Sequence, residues 1–193
     1  MTPVFQHVTT LLSFVLALSV SHQLFTVVDS VRAWHRVKHP WVHSVWMANC
    51  FLSVISWWIG FWDLRHISQW PVIIILSLLA GAIGLFLAVA FVCPRVPQAG
   101  NIDLWQFHLD NRRKYLTPLL FSMVVGTMAT LYYGDVQNVP NQNVQAVIFV
   151  FMIFAVLAAY AWANAAVQRL AAAVYFAGSV VFFVLGVPVL TSN

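Results

Sequence analysis

Six long apolar segments divide this chain of 193 residues, and they constrain its fold more than any other feature. Each holds about 20 residues with almost no charge, which is the length that an α-helix needs to cross a hydrocarbon core of about 30 Å. Charged residues make up only 7% of the chain. The sequence therefore predicts an all-α integral membrane protein with six transmembrane helices, at about 5–29, 43–63, 71–93, 117–134, 143–163 and 168–189.

The segments that connect these helices are short, so we expect residues 1–193 to form a single six-span transmembrane domain. The longest basic connection, 94–116, begins with Pro94 and Pro97. It continues with Asn101 and Asp103 as candidate helix caps, followed by apolar residues at helical spacing. This pattern predicts a short interfacial amphipathic helix between helices 3 and 4.

The basic residues predict the orientation of the chain. Eight of the nine Lys and Arg residues lie in connections on one side of the predicted membrane, and only Arg65 lies on the other. Basic loops are retained in the cytoplasm, so both termini are expected outside, in a membrane of the bacterial inner-membrane type. No basic stripe alternates with exposed aromatic residues, which argues against nucleic-acid binding. The candidates for binding anionic lipid head groups are Arg112, Arg113 and Lys114.

Polar side chains recur at helical spacing within the first two spans. In the first span they step by three, four and three residues, which predicts one polar stripe. His22 is the leading candidate, because it lies seven residues, or about 10 Å, deeper than Asp29. In the second span, polar and small residues keep the same spacing of three or four residues through its full length. The candidates for a pore or solute-binding site are Ser19, His22, Thr26, Asp29, Asn49, Ser53, Ser56 and Asp63.

Polar stripes of this kind have two interpretations. They can line a path for an ion or small solute, and His22 could then make transport depend on pH. They can instead supply hydrogen bonds between packed helices. We therefore expect a small channel or transporter-like protein for an ion or small solute. It should lie in the lipid bilayer as a homo-oligomer or with a membrane-complex partner. The alternative is a non-catalytic membrane subunit or scaffold of a larger complex.

Haem-binding electron transfer is the third possibility. Haem would need two histidines that face each other at matching depth, and the sequence offers His22 with His43 or His7 with His66. These pairs belong to adjacent helices, which does not favour haem between them. We therefore expect no cofactor.

A metal site is the remaining histidine hypothesis. His35, His39 and His43 recur every four residues, as ligands on one helix would, but Pro40 interrupts that helix. We therefore expect no metal. The sequence also contains no motif of a hydrolase, metalloprotease or phosphate-binding loop, so we expect no enzyme activity.

Small residues predict where helices approach each other closely. In the third span small residues recur every three or four positions, at Ser77, Gly81, Gly84 and Ala88, and in the fourth they recur every four, at Ser122, Gly126 and Thr130. Such spacing lets helix backbones come together in lipid. The two cysteines, Cys50 and Cys93, are not expected to form a disulfide, because neither lies on the oxidising side.

Overall fold

The computed structural model describes residues 2–38, 41–67, 69–95, 100–137 and 142–186. These residues form an all-α fold, as the apolar segments predict. Its helices are α1 (Pro3–Arg32), α2 (Trp41–Gly60), α3 (Val72–Val92), α4 (Leu104–Gln137), α5 (Gln142–Ala161) and α6 (Ala165–Val181).

Short turns extend two of these helices. A 3₁₀ turn, Phe61–His66, follows α2, and a π turn, Phe182–Gly186, follows α6. Five helical segments in the described part of the chain are long and apolar enough to cross a membrane, which supports a membrane protein with transmembrane helices. They are Pro3–Arg32, Trp41–Gly60, Val72–Val92, Val144–Ala161 and Ala165–Leu185. The span at 117–134, within α4, stays a prediction.

The expected interfacial helix is not a separate element, and that prediction is wrong. Residues 104–116 form the first turns of α4, which runs without a break into the predicted fourth span. Asp103 caps this helix, since its carboxylate accepts hydrogen bonds from the backbone N–H groups of Trp105 and Gln106 at 2.9 and 3.2 Å. No breaker separates the amphipathic part from the apolar part before Pro118, and the helix passes through that proline.

One buried apolar cluster contains side chains from all six helices. Within it, α2 packs against α1, α3, α4 and α6, and so lies centrally. Large apolar side chains cover the outer surface, and Phe25 is 71% exposed. A surface of this kind is suited to lipid rather than to water.

A short parallel pairing joins the beginnings of α2 and α4. The strands β1 (Val37–Lys38) and β2 (Ile102–Asp103) pair Val37 with Ile102. β1 precedes α2 by two residues, and β2 leads directly into α4. The pairing therefore holds the first turns of these two helices side by side, where the histidines of the candidate site lie.

Candidate functional site: a polar column on the second helix

The candidate site lies on the inward face of α2. His43, Trp46, Asn49 and Ser53 recur every three or four residues along this helix, so their side chains share one face. The first three are 0% exposed. We call these four residues the α2 polar column.

The half of the column nearer the C-terminal end of α2, here called the outer half, contains Asn49 and Ser53 and is hydrogen-bonded to α6. The Asn49 side-chain amide donates to the Ala172 carbonyl at 3.1 Å. The Ser53 hydroxyl donates to the Asn49 carbonyl at 2.8 Å, and its oxygen lies 2.8 Å from the Tyr175 hydroxyl. Because the single Ser53 proton is already used, Tyr175 is the donor in that second bond. These bonds fasten α2 to α6.

The half of the column nearer the N-terminal end of α2, here called the inner half, begins at His43 and runs to the side-chain oxygen of Asn49. It carries polar atoms without a partner. Among the described residues, neither ring nitrogen of His43, nor Trp46 Nε1, nor Asn49 Oδ1 makes a hydrogen bond. The Val92 backbone lies close enough to act on the His43 ring, but without hydrogen-bond geometry. Each unmatched buried polar group costs about 1–3 kcal/mol. Three consecutive positions of this kind on one face are unusual in a packed bundle and need an explanation.

A second buried histidine, His108 of α4, is fully hydrogen-bonded. Its Nε2 lies 2.8 Å from Gln168 Oε1, and its Nδ1 lies 2.7 Å from the Tyr115 hydroxyl. The Gln168 amide nitrogen donates to the carbonyls of Ala159 and Trp162. Gln168 Oε1 must therefore accept, so His108 carries its proton on Nε2 and accepts at Nδ1 from Tyr115.

Burial keeps His108 uncharged. His108 lies before the predicted fourth span, and burial, as the largest cause, lowers its pKa from 6.5 to about 4. The hydrogen bond to Gln168 opposes this effect, while the positive charge of Arg112 adds to it. We conclude that His108 connects α4 to α6 as a neutral side chain.

Aromatic rings of α4 and α6 lie around the column. The His43 ring lies 6.2 Å from that of His108 and 5.2 Å from that of Phe107, measured between ring centroids. The Trp46 ring lies 6.2 Å from Tyr115 and 5.8 Å from Tyr175. The column is thus enclosed by α4 and α6.

The predicted polar stripe of α1 is divided between two faces, which corrects the single stripe. Ser19 and Thr26 are buried, whereas His22 and Asp29 are exposed. A step of three residues turns a helix by about 300°, so His22 lies about 60° away from Ser19. The buried face continues instead through Gln23, whose amide donates to the Met47 carbonyl of α2 at 2.6 Å.

The exposed half of that stripe makes few bonds. Asp29 lies 3.8 Å from Arg32, and both side chains are largely exposed, so the pair stabilises the fold little. At the other end of the α2 stripe, Ser56 is partly buried. The backbone at Asp63 lies in the 3₁₀ turn after α2, and its side chain is outside the described residues.

The histidines proposed as metal or haem ligands are not brought together. His35 is exposed and His43 is buried, and His39 lies outside the described residues. No group of three or more His, Cys, Asp or Glu that could hold a metal occurs in the described parts of the chain. Of the haem pairs, His22 is exposed while its proposed partner is buried, and the side chain of His66 is not among those described.

The proposed head-group residues lie on the first turns of α4. The Arg113 guanidinium lies 5.2 Å above the Tyr160 ring of α5, and its Nε donates to the Tyr160 carbonyl at 3.5 Å. Arg112 donates to the Leu109 carbonyl, and Lys114 donates to Asn111. Arg113 and Lys114 are exposed, so their charges remain available to an anion.

Sequence reasoning missed His108, Tyr115 and Gln168. His108 and Tyr115 are seven residues apart, a spacing that places them on one helix face, but they precede the apolar part of α4. Gln168 is a single polar residue at the start of an apolar span. Only the packing of α4 against α6 joins these side chains. No protein-family model, curated protein or solved structure matches this chain.

Proposed function

We propose that this protein is a small membrane channel or transporter for an ion or small solute, and that its path follows the α2 polar column. The observation that supports this most directly is the run of unpartnered polar atoms on His43, Trp46 and Asn49. Stable bundles pair their buried polar groups, so an unpaired run is suited to a species that passes through.

A non-catalytic subunit or scaffold is the second candidate. The bonds from Asn49 to Ala172 and between Ser53 and Tyr175 favour it, because they are ordinary contacts between packed helices. They account for the outer half of the column. They leave the inner half without an explanation, which is why we place transport first.

The surroundings of the protein belong to the same proposal. We propose an inner-membrane location with both termini outside and assembly as a homo-oligomer or with a membrane-complex partner. The exposed Arg113 and Lys114 then lie at the cytoplasmic surface, where anionic lipid head groups would bind them.

Purified protein in liposomes tests this function through the flux of protons, monovalent ions and small neutral solutes. We expect flux in the parent protein and its loss in His43→Leu. Thermal stability should stay equal or rise, because leucine removes two unpartnered nitrogens from an apolar setting. Ser44→Leu is the matched control, since Ser44 is the exposed neighbour of His43 on the same turn.

Two results would contradict the proposal. If the parent protein carries no solute, transport is rejected and the scaffold leads. If His22→Leu abolishes flux while His43→Leu retains it, the path lies on the exposed face of α1 and the column has another role.

A further inference from the structure

The inward face of α2 is closely surrounded by buried side chains, and this limits the size of a species that could pass along it. Trp46 is 0% exposed and lies between the rings of Tyr115 and Tyr175. Cys50 and Val54, on the same side of α2, are also buried. An ion must keep or replace its hydration shell, which needs a wider and more polar lining than this. A proton needs no such width, because it moves along hydrogen bonds by exchange.

His43 has the chemistry that proton transfer requires. A neutral imidazole has one N–H and one bare nitrogen, and neither nitrogen of His43 is occupied by a described residue. The bare nitrogen can accept a proton from a hydronium ion on one side, which becomes water, and the other nitrogen can then release its own proton to a water on the other side, which becomes hydronium. The ring ends neutral, with the opposite nitrogen protonated, and one proton has advanced.

The next two positions of the column carry polar atoms that could bond to water. Trp46 and Asn49 lie three and six residues beyond His43, or about 4.5 and 9 Å along the helix axis. One water that bonds to two groups spans about 5–6 Å. Trp46 Nε1 is an unpartnered donor and Asn49 Oδ1 an unpartnered acceptor, so together they can orient such waters without titrating.

We infer that the transported species is the proton, carried by His43 and by water oriented on Trp46 and Asn49. This inference rests on the proposed function and names its substrate. His108 is excluded as a carrier, because both of its nitrogens are already bonded to Tyr115 and Gln168.

The described groups that act on His43 come from two helices. The α4 helix presents the rings of His108 and Phe107, and α3 presents the backbone of Val92. None of these described groups is a counter-ion for His43. A protonated His43 would therefore not be held by a neighbouring negative charge, so it should hold its proton briefly and pass it on.

The experiment uses liposomes that contain the full chain and a trapped pH indicator, with a potassium diffusion potential set by valinomycin. We expect proton entry above that of protein-free vesicles, and no entry of sodium, chloride or neutral solutes. His43→Gln keeps the polar volume but cannot shuttle a proton, so proton flux should fall about a hundredfold. Ser44→Gln should match the parent protein.

Trp46→Phe keeps an aromatic ring and removes the N–H, which gives a second test if His43→Gln does not fold. Its proton flux should fall, and the flux of the parent should be slower in D₂O than in H₂O. Sodium or solute flux equal to proton flux would overturn the proton assignment while leaving transport intact. Full proton flux in folded His43→Gln or in Trp46→Phe would overturn the carrier role. If no species crosses at all, the proposed function itself is lost.

Discussion

Two buried histidines of one bundle differ completely in their hydrogen bonding. Both ring nitrogens of His108 are bonded, to Gln168 and Tyr115, and this joins two helices. Both ring nitrogens of His43 lack a described partner, although the two rings are only 6.2 Å apart. The hydrogen-bond partners, rather than burial, therefore separate a structural histidine from a candidate functional one.

The neutral state of His108 predicts how stability depends on pH. Its pKa is lowered from 6.5 to about 4 in the fold, chiefly by burial, so the unfolded chain binds its proton first as the pH falls. The stabilisation is fully present above pH 6.5 and is lost as the pH falls towards 4. The full effect is about 3 kcal/mol in the free energy of unfolding.

Unfolding of the detergent-solubilised protein, followed from pH 7 to pH 4, measures this dependence. His108→Gln removes the titrating group, so its stability should change less over that range than that of the parent. Equal pH dependence in the two proteins would show that His108 does not contribute in this way.

At the scale of the elements, Gly84 sets how closely α3 approaches α4. A Cβ at Gly84 would lie 2.8 Å from Ser122 Oγ and 2.9 Å from Phe121 Cδ1, which is too close without movement. A Cβ at Gly126 would lie 3.5 Å from the Trp57 ring, an ordinary contact. The two glycines are therefore not equivalent, although their spacing in the sequence treats them alike.

Alanine and leucine substitutions distinguish these positions. Gly84→Ala should lower the free energy of unfolding by about 1–3 kcal/mol, as overpacking does, whereas Gly126→Ala should have little effect. Gly84→Leu and Gly126→Leu should both damage assembly more than Leu79→Ile, because leucine exceeds the space at either site. Thermal unfolding and size-exclusion profiles provide the measurements. Leucine variants that behave like the parent would mean that neither glycine lies at a tight helix contact.

At the scale of the whole molecule, the basic residues predict the orientation in the membrane, and the packing of the bundle gives the arrangement of the helices. The basic residues predict the cytoplasmic side. The bundle places α2 among α1, α3, α4 and α6, and the β1–β2 pairing holds the first turns of α2 and α4 together. On the predicted orientation, His43 and His108 lie towards the cytoplasmic side.

Cysteine labelling tests that orientation. In a chain with Cys50 and Cys93 replaced by alanine, single cysteines at cytoplasmic positions should be shielded from an impermeant thiol reagent in intact cells, and those outside should react. Reversed labelling would invert the topology, and a mixed pattern would break the six-span count. The shielded set is Arg36→Cys, Gln98→Cys and Ala166→Cys, and the reactive set is His66→Cys, Asn138→Cys and Ser192→Cys.

The sequence alone determined the helical segments and some of their ends. Apolar runs of sufficient length form helices wherever the backbone must satisfy its own hydrogen bonds, so the six segments follow from local composition. The sequence also offered Asn101 and Asp103 as caps, and the structure uses Asp103, whose carboxylate bonds to N–H groups two and three residues away. Local composition did not reveal that 104–116 and the predicted fourth span form one helix, since no residue there marks either a stop or a continuation.

Only the tertiary structure decided which polar face is turned inward. Periodicity offered faces on α1 and α2, and both contain a histidine within an apolar span. Neighbouring helices bury His43 and leave His22 exposed, and they join His108 to Gln168 across 60 residues of sequence. A helical pattern specifies which side chains share a face, but the partner against which that face packs is a property of the whole bundle.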